Sequence, residues 1–251
     1  MLSKADLTQG SITGTLLRFT LPMIIGSLLQ QCYNIADTLI VGQCIGSGAL
    51  AAIGSAYTLM VFLISILLGL SMGSSTVFSL QYGAGRMKAL RRSIYVSAVL
   101  IGTVTIVLNI AALSFIHPIL KLLQIPDDIY QMMYDYLWII FWGIGFTFIY
   151  NFYAALLRAI GNAVTPLYFL AISVVLNIGL DLFFILLLDW GIKGAAIATI
   201  IAQGVSALGI MGYTYAKCPE LRLHRNDLHF DRHCLKEITS FSTLTCIQQS
   251  V

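Results

Sequence analysis

Six long apolar stretches, broken by short polar turns, occupy most of the chain. They lie at about 16–41, 51–82, 93–116, 129–157, 166–188 and 194–216. A helix needs roughly 20 apolar residues to cross a bilayer core, and each stretch meets that length. The pattern predicts an all-α integral membrane fold, a lobe of six transmembrane helices over residues 1–216. Lys217–Lys236 is the one long polar segment and reads as a cytoplasmic linker over 217–236. From about Ile238 an apolar run begins again and reaches Val251. That run is too short to span, so 237–251 reads as the start of a truncated seventh helix.

Composition agrees with this pattern. The chain is 58% hydrophobic and 10% charged, with mean hydropathy +0.87. A soluble domain carries about 25% charged residues, so lipid is the expected solvent. The five cysteines include no CxxC pair, which indicates neither a disulfide framework nor a zinc site. The polar N-terminus and the long first apolar block do not resemble a cleavable signal peptide.

The net charge of +3 matters less than its distribution. If six helices alternate direction, twelve cationic residues share one side, from Lys4, Arg18, Arg86, Lys88, Arg91, Arg92 and Arg158 through the linker. The other side receives only Lys121 and Lys193. Positive charge concentrates on cytoplasmic loops, so the N-terminus and the linker are expected in the cytoplasm, in an inner plasma membrane.

Several polar residues interrupt the apolar stretches. The first contains Gln30, Gln31, Asn34 and Asp37, and the fifth contains Asn177 and Asp181. A carboxylate at membrane depth costs about 2.5–3.5 kcal/mol on insertion scales and usually faces a bundle interior. At about 1.5 Å per residue, Asp37, Tyr136, Asp181 and Thr199 all fall roughly 6–11 Å below the outer surface. Asn177 stands one helical turn from Asp181, and Gln30, Asn34 and Asp37 are expected to share a face. Two acids with hydroxyl and amide neighbours make a candidate cation or proton site, because either a hard cation or a proton must neutralise such a pair. A network that only joins helices is the structural alternative.

Other features carry less. His224, His229, His233 and Cys234 lie in a charged segment without ligand spacing, and RMKALRR reads as a topology signal rather than a nucleic-acid patch. Trp138 and Trp142, spaced i, i+4 in an aromatic-rich fourth stretch, are candidates for an interfacial anchor or for lining a cavity that takes an organic cation. The Gly69–Gly73 spacing suits close helix packing. No HExxH or surface Ser/His constellation is present, so an enzyme is not indicated.

The chain resembles the N-terminal half of the multidrug and toxic compound extrusion (MATE) family, in its DinF-like branch. The resemblance rests on LTQGSITGTLLRFTLP, YNIADTLIVGQCIGSGALAAIG, LGLSMGSSTVFSLQYGAG, LLRAIGNAVTP, NIGLDLFFI and GIKGAAIATIIAQG. It implies half of a twelve-helix antiporter that exports drugs or other organic compounds, often cationic, coupled to entry of Na+ or H+ and requiring no cofactor. By motif, the ion site would comprise Asp37, Tyr136, Asn177, Asp181 and Thr199, and Pro22 would be the hinge of the first helix. Gln30, Asn34, Trp138 and Trp142 are the candidate cavity-lining residues. The expected partners are the lipid bilayer, a small organic substrate and a second lobe, with no nucleic acid. The rival within the superfamily, a flippase of lipids or lipid-linked oligosaccharides, calls for a cationic cleft, whereas the positive charges here are expected in loops.

Overall fold

In the computed structural model, residues 12–224, 227, 229 and 232–250 are described. Lys4, with the rest of residues 1–11, and Arg225 in the polar segment after α7 lie outside them. The described residues form long helices joined by tight turns: α1 (Ile12–Cys44), α2 (Ser47–Gly83), α3 (Met87–Ser114), α4 (Ile116–Leu122), α5 (Asp127–Ala159), α6 (Val164–Leu182), α7 (Gly191–Lys217) and α8 (Arg232–Ser250).

Five of these, α2, α3, α5, α6 with its extension, and α7, are long and apolar enough to cross a membrane by length and composition. The chain is a multi-pass membrane protein. With 33 residues, α1 is also longer than a bilayer core requires. Its length includes four polar side chains, Gln30, Gln31, Asn34 and Asp37.

The chain segment between α3 and α5, expected as a loop, contains the two-turn helix α4. Pro118 falls within its first turn, where a missing backbone donor costs nothing. The helix stops at Gln124, which takes φ 52°, and Pro126 precedes the first turn of α5. The polar segment after α7 forms a 3-10 turn at Pro219–Leu221, and α8 starts at Arg232, earlier than the apolar run alone indicates.

The helices pack around α5, which lies against α2 on one side and α7 on the other. From α7 the layer continues through α6 to α1, and from α2 to α3 and α8. Fully buried side chains such as Phe78, Phe141, Met133, Leu137 and Leu157 fill the centre. The outward surface is apolar, with Leu17, Leu28, Ile106 and Val175 all more than half exposed. Apolar surface of this kind is costly in water and is matched by lipid.

Two close approaches shape the bundle. A Cβ on Gly69 would come within 2.6 Å of the Cys246 Cα, and one on Gly73 would collide with the Ser242 backbone. Only glycine lets α8 rest directly on α2 at these positions, as the small-residue spacing predicted. At the far end of α6, Phe183–Leu187 forms a π-helical turn directly after Asp181. Asp189 and Gly191 then take positive φ to start α7.

Candidate cation site and cleft

Asp37 and Asp181 meet. Asp37 sits about two turns before the end of α1, and Asp181 is the penultimate residue of α6. Both are buried, at 8% and 0% exposure, and each carboxyl lies within electrostatic reach of the other. Two bare carboxylates repel each other in a low dielectric, which makes the pair a candidate site for a proton or a cation. Each carboxyl also has an Oδ1 buried without a hydrogen-bond partner among the described residues.

Three neighbours surround the pair. Asn177, one turn before Asp181, orients its amide so that Nδ2 donates to Asp181 Oδ2 at 2.9 Å and Oδ1 accepts from the Thr199 amide at 3.3 Å. The Thr199 hydroxyl on α7 lies 3.3 Å from the Tyr33 hydroxyl on α1. Tyr136 on α5 is buried within electrostatic reach of Asp37, Tyr33 and Asp181. Four helices thus place oxygen atoms around one point. The structure brings all five residues read from the sequence into this one region.

The sixth member, Tyr33, was missed. It stands one turn before Asp37 on α1, a spacing that puts it on the same face, so the signal was present. Its ring made it look like an apolar position of the helix.

Beside this cluster opens a cleft of about 720 Å³, bounded by α1, α2, α5, α6 and α7. Its volume lies in the range that holds a drug-sized molecule. Pro22, Gln30 and Asn34 of α1 line it, as do Asn177 and Thr199, so the cluster and the cleft share a wall. Asp37 itself is not in the lining, although Gln30, Tyr33 and Asn34 on the preceding turns of the same unbroken helix are.

Trp138 and Trp142 do not line this cleft either. They are 41% and 63% exposed and pack edge-to-face with each other at 6.2 Å. Trp138 continues a stacked ladder through Tyr134 to His117. Their i, i+4 spacing aligns them on the outward face of α5, the geometry of an interfacial anchor. One cationic side chain, Arg158, does line the cleft, against the expectation that all such charge stays in loops. Pro22 lies inside α1 without ending it, since α1 runs unbroken from Ile12 to Cys44.

The MatE family model matches residues 22–183, well over half of the chain, and takes in both acids. The chain belongs to the MatE family. That family is one of transporters, not of enzymes. Among its members, the chain is 36% identical over 203 residues to the probable multidrug resistance protein YpnP of Bacillus subtilis, covering 81% of this chain and 46% of that protein. It is 30% identical over 229 residues to the probable multidrug resistance protein YoeA of the same organism, covering 90% and 48%. The chain therefore spans about half the length of the curated relatives it matches. Its fold superposes with a TM-score of 0.90 on a MATE family multidrug resistance transporter solved in an outward-facing conformation, at 24% identity, over 99% of this chain and 55% of that one.

Proposed function

We propose that this MatE chain is one lobe of a secondary antiporter that exports drugs or other organic compounds, driven by entry of Na+ or H+ at the Asp37–Asp181 pair. The observation that carries the reading is the pairing of two buried carboxyls, each with an unpartnered oxygen among the described residues, behind a drug-sized cleft lined by their neighbours Tyr33, Asn177 and Thr199. Family membership and the multidrug-resistance names of the relatives support it.

The mechanism follows from where the pair sits. An ion between Asp37 and Asp181 ties α1 to α6, with Asn177, Thr199, Tyr33 and Tyr136 supplying neutral oxygens or orienting the acids. Na+ takes such oxygens as ligands. A proton neutralises the same pair with no ligand cage. Loss of the ion leaves two negative charges facing each other and favours an arrangement in which α1 moves away, with Pro22 as the hinge. Because α1 also forms a wall of the cleft, that movement changes the space open to substrate. The ion must bind one state better than the other, or it drives nothing.

The asymmetry of Lys and Arg supports a cytoplasmic N-terminus and a cytoplasmic linker at 217–236, in the plasma membrane. The second wall of the transport path would come from a second lobe. Arg158 in the cleft favours, as a second reading, a flippase acting on an anionic lipid.

The test is Asp37→Asn in membrane vesicles, with efflux followed as the Na+ and H+ gradients are set separately. The proposal expects efflux to lose its dependence on the coupling ion. Unchanged efflux with unchanged ion dependence sinks it.

A further inference from the structure

Arg158 ends a polar stripe on α5. Thr147, Asn151 and Arg158 recur at i, i+4 and i+11, which aligns them on one helix face, and all three line the cleft. The turn after α5 fixes this end. Gly161 takes φ +85°, and Asn162 Oδ1 accepts the Thr165 amide at 3.1 Å to start α6.

A guanidinium offers five N–H donors. Arg158 uses Nε on the Ala154 carbonyl of its own helix, at 3.2 Å. Among the described residues no carboxylate pairs with it and no acceptor takes its two terminal amino groups. The acids of the cation site cannot serve, because Tyr136, which lies within electrostatic reach of them, stands 22 residues earlier on α5. At about 1.5 Å per residue that is roughly 33 Å. The screening length in physiological salt is about 8 Å.

The rest of the cleft wall near this end is neutral. Gln203 Oε1 accepts from Thr147 at 2.7 Å, which leaves its amide N–H groups as donors. Arg158 is the one ionised group of the lining among the described residues. A planar fork of free donors on a neutral wall matches the two oxygens of a carboxylate or phosphate.

We infer that Arg158 forms an anion-recognition subsite at the basic end of the cleft, so that the transported molecule carries a carboxylate or phosphate group. This rests on the transporter reading and narrows its substrate class from organic cations towards acidic or zwitterionic compounds. The bland alternative is a topology charge whose side chain reaches the membrane surface.

The experiment compares two dyes of similar size on the purified protein in phosphatidylcholine nanodiscs: carboxyfluorescein, which is anionic, and rhodamine 6G, which is cationic. Binding is read by fluorescence anisotropy. Arg158→Gln is expected to weaken carboxyfluorescein about 10-fold or more, as loss of a charge-assisted contact does, and to leave rhodamine 6G unchanged. Arg158→Lys, which keeps the charge and loses the fork, is expected to fall between.

Nanodiscs containing phosphatidylglycerol identify the source of the anion. Competition that requires Arg158 assigns the same subsite to a lipid headgroup, and its absence assigns it to the solute. The inference is overturned if wild-type protein does not favour the acidic dye over what Arg158→Gln binds, or if both dyes weaken equally. A failed antiport reading would show as ion-independent efflux, which leaves this comparison untouched.

Discussion

The contact of α8 with α2 makes a sharp stability prediction. Gly69→Ala places a methyl group 2.6 Å from the Cα and Sγ of Cys246 and 2.8 Å from its backbone nitrogen. Carbon atoms pack at about 3.5–4.0 Å, so α8 has to retreat by about 1 Å. The obstacle is mostly backbone, and no rotamer change relieves it. A gap of that width forfeits up to about half of each dispersion contact along the seam, which includes fully buried Ile238 and Ser242. Overpacking of this kind costs about 1–3 kcal/mol.

Gly54 on the same helix supplies the control, since its Cβ would meet nothing within 4 Å. Alanine there removes a helix penalty of about 0.5–1 kcal/mol. At roughly 2–4 °C per kcal/mol for a chain of this size, Gly69→Ala should melt several degrees below wild type and Gly54→Ala slightly above it. Circular dichroism melts of the purified protein in detergent give both values. Equal melting temperatures for the two variants would refute the claim that glycine is required for the α2–α8 approach.

Asn177→Leu removes the donor to Asp181 Oδ2 and the acceptor of the Thr199 amide. Hydrogen bonds in membrane bundles are worth about 0.6–1.7 kcal/mol, so the half-saturating concentration of the coupling ion should move by about 3- to 20-fold while the protein still folds. Ion titration of efflux reads the shift. Asp227→Asn should free the polar segment from α3, because Asp227 Oδ2 accepts from Arg91 Nε at 2.9 Å and from the His224 amide at 3.0 Å. Limited proteolysis around residues 218–231 should then accelerate. Partial burial pushes the Asp227 carboxyl up, but the His224 amide and the Arg91 guanidinium outweigh it and hold it below its usual range. The latch therefore stabilises above the ordinary aspartate range and is lost only as pH falls through the lowered value, which protection measured between pH 3 and pH 6 would follow. Trp142→Ala should leave ion dependence of efflux unchanged, since the ring lies outside the cleft.

Much of this was legible in the sequence because lipid imposes two simple rules. Apolar length fixes the spans, and any buried acid needs a reason. Asp37, Asp181, Tyr136 and Thr199 could be grouped by depth alone, since helices have a fixed rise per residue, and Asn177 joined them by its i, i+4 spacing from Asp181. Rotation about the helix axis was harder. Gln30, Asn34 and Asp37 share a helical spacing, yet only the first two line the cleft, and the packing of the neighbouring helices decides where along α1 the open space ends. The same limit hid Tyr33, and it kept Trp138 and Trp142 among the cavity candidates. Arg158 was read as loop charge because the apolar stretch ends at residue 157, whereas α5 runs on to Ala159 and brings its last turn to the cleft wall. The glycine pair at 69 and 73 announced a close contact but not that α8 would make it.

The most direct measurement of the central claim is ion binding itself. Proton release and 22Na+ binding are followed on purified wild-type protein, Asp37→Asn and Asp181→Asn, at fixed pH. The paired-acid account predicts that either substitution abolishes the same binding event, because each carboxyl completes the other's site. Retention of wild-type ion binding by either variant would show that Asp37 and Asp181 do not form one site.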